Sequence, residues 1–179
     1  CELAVKIAPV YFVPGNHEAM VKTEYRRALY DRMHACGVIF MIDRNVELSR
    51  EEAAITLTGL ESIRKADYFA LKQISDAQTD FVVLLEHNPT DAKAFLQSDA
   101  DLTLTGHTHG GQFRLPLIGG LYAPDQGILP EYDGGAFYDA GHMLIINRGV
   151  GNSGFPFRVG NRPEIVTVTL HRTEGGETT

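Results

Sequence analysis

Cysteine is scarce in this chain. Only Cys1 and Cys36 occur among 179 residues, and neither sits in a Cys-x-x-Cys pair, which excludes a disulfide framework and a cysteine-based zinc site. The same absence removes a deaminase-type zinc centre, and the lack of any His-Glu-x-x-His removes the zinc-protease arrangement. Positive charge is also in short supply: 16 Lys and Arg face 23 Asp and Glu, a formal net charge of -7. A general binder of nucleic-acid backbones is therefore a poor reading, although a local anion site built around metal cations remains compatible with this balance. No apolar run approaches the roughly 18 residues that span a bilayer, and the first residues lack the basic head and apolar middle of a signal peptide. There is no initiator Met, so targeting or anchoring information is expected upstream of Cys1, leaving peripheral membrane association open. Internal repeats and low-complexity segments are absent as well.

What remains is an ordinary globular composition, with 44% hydrophobic residues, in a chain long enough for a single domain over residues 1–179 with one sizeable core.

The informative stretch is Leu102-Thr103-Leu104-Thr105-Gly106-His107-Thr108-His109-Gly110-Gly111-Gln112. A short β-type run stops at glycine and opens into two imidazoles, presented where glycines let the backbone turn sharply. Neutral imidazole is the commonest metal ligand, and two of them one residue apart can face one ion or two neighbouring ions. Taken alone, such a pair could equally be solvated loop histidines. Two further stretches have the same shape. Val10-Tyr11-Phe12-Val13 breaks at Pro14-Gly15-Asn16-His17-Glu18, and Phe81-Val82-Val83-Leu84-Leu85 breaks at Glu86-His87-Asn88-Pro89. Each reads as a buried strand ending in a loop that carries a histidine. In an open α/β sheet ligands gather outside the carboxyl ends of the strands, so the three loops are expected to converge there.

Along the chain, Cys1–Pro9 reads as the last turns of a helix, with Leu3 and Ile7 packed on a core. Thr23 is placed as the cap of a helix running to Cys36, with Tyr25, Leu29, Met33 and Cys36 on its buried face and Gly37 as its stop. On it His34 reads as a surface residue. Val38–Ile42 and Ala54–Thr58 read as strands joined by a solvated charged turn over 43–52. A helical segment is expected around Tyr68, Leu71 and Ile74. Pro89 opens a short helix completed by Ala92–Leu96, so that strand, helix and strand form a βαβ unit on a parallel sheet. Phe113–Tyr138 reads as one long irregular loop beside the site. Met143–Asn147 and Ile165–Leu170 are expected strands, and Glu174–Thr179 a frayed end. His142 and His171 fit no constellation and read as structural or surface residues.

Together, Gly15-Asn16-His17-Glu18, Glu86-His87-Asn88 and Gly106-His107-Thr108-His109 resemble the last three motifs of the calcineurin-like metallophosphoesterases. The Gly-His-Thr-His-Gly-Gly-Gln form is most similar to a bacterial branch that includes membrane-associated phosphodiesterases. The likeness extends to Arg148-Gly149 and Arg162-Pro163-Glu164-Ile165. It implies an α/β (α+β) fold, a four-layer αββα sandwich with a dinuclear metal centre at the top of its sheets. By position Asn16, His87 and His107 would hold one metal, His109 would help hold the other, and His17 would stand beside the phosphate as proton donor or transition-state stabiliser. An amide oxygen with imidazoles suits Mn²⁺, Fe, Zn²⁺ or Co²⁺ better than Ca²⁺. Two such ions can clamp phosphate oxygens and acidify the attacking water. Arg148, following an expected strand, is a candidate phosphate contact, with an ordinary surface arginine as the alternative.

The family's first two motifs, Asp-x-His and Gly-Asp-x-x-Asp, do not occur. The expectation is a carboxyl-terminal portion of a longer enzyme that carries part of the dinuclear site and pairs with the missing amino-terminal segment or another chain. The implied reaction is hydrolysis of phosphodiesters or of pyrophosphate-linked lipid or nucleotide substrates. The competing reading is a metal-binding or interaction module without catalysis, in which Asn16, His87, His107 and His109 hold a single structural ion.

Overall fold

The computed structural model describes residues 1–61, 77, 79–152, 154 and 156–172. The helix expected around Tyr68 and the end expected to fray from Glu174 lie outside them. The centre is a mixed six-stranded sheet built from β3 (Arg44–Arg50), β4 (Ala53–Gly59), β5 (Val82–Leu85), β6 (Leu102–Thr105), β11 (Gly135–Asp139) and β12 (His142–Ile146). Its order is β11-β12-β6-β5-β4-β3, with the four inner strands parallel and each edge strand antiparallel to its neighbour. A second, smaller sheet pairs β1 (Tyr11–Phe12) with β2 (Ile39–Phe40) in parallel.

The alternation of side chains along each strand builds the layers, because successive residues point to opposite faces. Val83, Leu102, Leu104, Met143 and Ile145 pack with Tyr11, Val13, Ile39 and Met41, which seats the small sheet on one face of the large one. On the other face Val82 and Leu84 meet Phe95, and Leu144 and Ile146 meet Ala92 and Leu96, all on α3 (Ala92–Leu96). The outer side of the small sheet is covered by α2 (Thr23–Ala35), where Tyr30 contacts Phe12 and Phe40 edge-on at 6.1 and 5.0 Å between ring centroids. The result is helix, sheet, sheet, helix. The βαβ unit β5-α3-β6 is present, entered through a 3-10 turn at Pro89–Asp91 that Asn88 caps from its side chain.

Several local expectations are corrected. Residues 1–9 form one 3-10 turn, Ala4–Lys6, and Leu3 and Ile7 are 77% and 86% exposed, since no described residue packs over them. Lys22, not Thr23, occupies the cap position of α2, and no side chain caps it. Tyr25 and Leu29 face solvent, whereas Tyr30 and Met33 turn inward, because the aromatic contact with the small sheet sets the rotation of the helix. Gly37 stops the helix as expected, at φ +90°. The supposed turn over 43–52 is mostly β3: Val46 and Leu48 join the core while Glu47 and Ser49 face out, an alternation masked by its charged residues. The segment 113–138 is not one irregular loop. It holds two short antiparallel pairs, β7 (Arg114–Leu115) with β8 (Gly119–Gly120) and β9 (Tyr122–Ala123) with β10 (Gly127–Ile128), and then enters β11. Ile165–Leu170 has the alternation of a strand but pairs with no described strand, and Ile165 is 84% exposed. Periodicity prepares a strand, but a hydrogen-bonding partner must make it one. Among the described residues no helix is long and apolar enough to cross a membrane.

Candidate metal centre

The three histidine-bearing loops do converge, though not from one sheet: β1 leads in from the small sheet, β5 and β6 from the large one. Val13-Pro14-Gly15 carries the chain from β1 into α1 (Asn16–Met20), where Glu18 accepts the Gly15 backbone N–H at 2.8 Å and fixes the first turn. That places Asn16 against the two imidazoles. Its Oδ1 lies 3.0 Å from His87 Nε2 and 3.2 Å from His107 Nδ1, and these two nitrogens are 3.2 Å apart. Bonds of about 2.0–2.2 Å to one cation separate neighbouring ligand atoms by about 2.8–3.1 Å at octahedral angles and about 3.3–3.6 Å at tetrahedral ones. The three donor atoms already stand within the span of those distances, and an amide oxygen with two imidazoles is a borderline donor set. They fit a single divalent transition-metal ion. No cluster of three or more His, Cys, Asp or Glu residues suited to a metal occurs among the described residues, so the triangle depends on Asn16.

Backbone strain concentrates in the loop after β6. His107, His109 and Gln112 have φ of +65°, +50° and +53°, and Gly110 and Gly111 also lie in the left-handed region. Such conformations cost about 1–3 kcal/mol each for residues with side chains, and they persist where the surroundings over-determine them. Here the surroundings are Asn161 and Asp133. Asn161, only 4% exposed, donates from Nδ2 to the carbonyls of His109 and Gln112. The carbonyl of Asp133 accepts from Thr108 Oγ1, and its carboxylate binds Arg114, whose guanidinium also reaches the Gly110 carbonyl. Of the glycines flanking the histidine pair, Gly110 and Gly111 make the sharp turn and Gly106 does not.

His109 makes none of the triangle's hydrogen bonds, and the Gly151 backbone beside it partly offsets the effect of its burial. His17, in the first turn of α1, is exposed and near enough to His87, His107 and His109 for its positive charge to disfavour theirs. Burial pushes the His87 imidazole down to about 4, helped by the neighbouring charge of His107. Burial likewise lowers His107, against the opposing pull of Asp125, and lowers His109. Three imidazoles kept neutral are imidazoles able to ligate. Arg148 follows β12 as expected, but its guanidinium is bound to Glu164 at 2.7 Å and its backbone N–H donates to the same carboxylate at 3.0 Å.

Two residues of this centre escape sequence reading. Asp125 accepts from His107 Nε2 at 3.0 Å, yet Pro124-Asp125-Gln126-Gly127 reads only as a turn. Asn161 offers no pattern at all. Its role exists only where two distant loops meet.

The calcineurin-like phosphoesterase family model matches residues 1–111, which contain all three histidine-bearing loops. The chain belongs to the calcineurin-like phosphoesterases. The chain is 36% identical to the metallophosphoesterase YkuE of Bacillus subtilis strain 168, over 89% of its own length and 55% of that protein. It is 29% identical to the phosphodiesterase YaeI of Escherichia coli K12, over 91% of this chain and 58% of that protein. The chain thus spans little more than half the length of these relatives. In fold it is similar to a 5'-nucleotidase structure from Staphylococcus aureus, with a TM-score of 0.55 at 13% identity, over 97% of this chain and 41% of that one.

Proposed function

We propose that the protein hydrolyses phosphoester bonds, and that Asn16, His87 and His107 hold one ion of a dinuclear centre while His109 serves the other. The observation that carries this reading is the triangle of Asn16 Oδ1, His87 Nε2 and His107 Nδ1 at 3.0–3.2 Å, in a chain of the phosphoesterase family. Mn²⁺, Fe, Zn²⁺ and Co²⁺ suit this donor set. Divalent ions bound there would polarise phosphate oxygens and lower the pKa of the attacking water. His17, exposed near buried His107 and half-buried His87 and His109, would in this reading hand a proton to the leaving alkoxide. Arg148 is already held by Glu164, so as a phosphate contact it would have to share or exchange that partner. The substrate class in this proposal is a phosphodiester or a pyrophosphate-linked lipid or nucleotide.

Asp-x-His and Gly-Asp-x-x-Asp do not occur in the 179 residues. In this proposal the remaining ligands of the second ion therefore come from outside them. The test is metal content after incubation with Mn²⁺, together with hydrolysis of an aryl phosphodiester, for this chain alone and joined to a segment bearing those two motifs. A single ion without turnover for the chain alone, and turnover for the joined form, is the expected result. No metal in either form would sink the proposal, and two ions with turnover by the chain alone would overturn the shared site.

A further inference from the structure

We propose that Asp125 is a positioning residue for the metal centre: it fixes which nitrogen of His107 carries the proton and so presents Nδ1 as a bare lone pair to the ion. The inference rests on the reading of Asn16, His87 and His107 as ligands.

The geometry around His107 makes the two ring nitrogens unequal. Nδ1 faces Asn16 Oδ1 and His87 Nε2, both at 3.2 Å. Nε2, across the ring, faces Asp125 Oδ2 at 3.0 Å. A carboxylate can only accept, so the proton of a neutral imidazole is drawn to Nε2, and Nδ1 is left as an acceptor. Nδ1 then confronts the amide oxygen of Asn16, another acceptor, and of the three facing atoms only His87 Nε2 can carry a proton. A cation placed there relieves that opposition, and the negative charge behind the ring makes Nδ1 a stronger donor. Asp125 contacts the edge of the ring opposite Nδ1, so it acts through His107.

The carboxylate is held in place rather than merely nearby. Asn88 Nδ2 donates to the same Oδ2 at 3.1 Å, while Asn88 Oδ1 accepts from the backbone N–H and hydroxyl of Thr90, which fixes the direction of the amide. On its own side, Asp125 sits at the turn between β9 and β10 at φ +62°. That turn is anchored by fully buried Ala123 and by Gln126, whose side chain both donates to and accepts from the Tyr132 backbone at 2.8 and 3.0 Å. The Asp125 side chain is 55% exposed and that of His107 only 3%. An ordinary ion pair so open to water contributes little to stability, which leaves ligand orientation as the measurable consequence.

The experiment is a Co²⁺ titration of the intact chain, followed by the visible absorption of the bound ion, for the wild type and for Asp125→Ala, Asp125→Asn and Asp125→Glu. Nitrogen-15 shifts of His107 in the metal-free wild type and Asp125→Ala chains accompany it. The expected result is Co²⁺ binding weakened about 10–100-fold in the Ala and Asn variants and largely recovered in the Glu variant. The metal-free wild type should carry the His107 proton on Nε2, and Asp125→Ala should show a mixture of tautomers. Wild type and Asp125→Ala binding Co²⁺ equally, with the same tautomer, would overturn the role of Asp125 while leaving the ligand set standing. A wild-type chain that takes up no Co²⁺ would overturn the ligand set itself, and this inference with it.

Discussion

The His87 ring lies directly on Gly15: a Cβ at position 15 would come within 2.9 Å of its Cδ2, Cε1 and Nε2 atoms. The glycine ahead of the Asn16 loop is thus a spacing requirement for a histidine that follows another strand. Gly106 is different, since a Cβ there would meet its nearest neighbour, the Asn147 carbonyl, only at 3.9 Å.

Gly15→Ala should therefore displace His87 and weaken Co²⁺ binding by about tenfold or more, whereas Gly106→Ala should bind as the wild type does. Titrating both variants checks this. Equal losses would mean that general loop stiffness, not contact with the ring, is what matters at these positions.

The stability of the metal-free chain should fall as the pH drops from about 6.5 toward about 4. An unfolded histidine takes its proton near 6.5, while folded His87 resists protonation down to about 4 because it is buried. Between those values the unfolded state binds a proton that the folded state does not, so acid favours unfolding. Tm measured against pH in the presence of a chelator reads this directly. His87→Gln should flatten the decline, and an unchanged slope in that variant would assign it to other groups.

Arg148 and Glu164 form a pair whose side chains are 28% and 23% exposed. Hydrogen bonding to Arg148 holds the Glu164 carboxyl below the usual carboxylate range. Glu164→Gln should cost about 1–3 kcal/mol in urea unfolding at neutral pH. Because the folded-state pKa is depressed, that contribution is full above the ordinary carboxylate value of about 4.3 and is lost as the pH falls through the folded value. Arg148→Ala combined with Glu164→Gln should cost clearly less than the sum of the two alone. Additive losses would show that the two side chains do not act as a pair.

Asn161→Leu should destabilise by about 1–3 kcal/mol, because the carbonyls of His109 and Gln112 lose their donor in a buried setting. The expected companion effect is faster backbone hydrogen exchange across residues 107–112. Unchanged exchange would mean that the left-handed loop is held from elsewhere, Asp133 being the next candidate.

His17→Asn should keep metal binding and lower turnover of an aryl phosphodiester by about 10²–10⁴-fold in the active form, as removal of a general acid does. Loss of metal uptake instead would assign His17 to the ligand set.

Much of the fold was legible in local pattern. Val82–Leu85 and Leu102–Thr105 are strands, Ala92–Leu96 is the helix between them, and Gly37 ends α2. Each of these segments states its periodicity or its stop in a few residues. Legibility failed where structure depends on a partner. Arg44–Arg50 is a strand because Ala53–Gly59 folds back on it, while Ile165–Leu170, with the better alternation, pairs with no described strand. Likewise Tyr30 rather than Tyr25 faces inward because Phe12 and Phe40 wait there, 28 positions apart.

The sequence by itself determined the kind of chemistry on offer: three strand-ending loops rich in histidine and asparagine, few basic residues and no cysteine motif. These follow from composition and short-range spacing, which need no knowledge of neighbours. Only the tertiary structure decided that Asn16, His87 and His107 meet as a triangle while His109 makes none of its hydrogen bonds, and that Asp125 and Asn161 support them. Donor atoms separated by 71 and 91 positions come within 3.2 Å only after two sheets have packed face to face. That packing is driven by apolar side chains which carry no mark of the polar site they bring together.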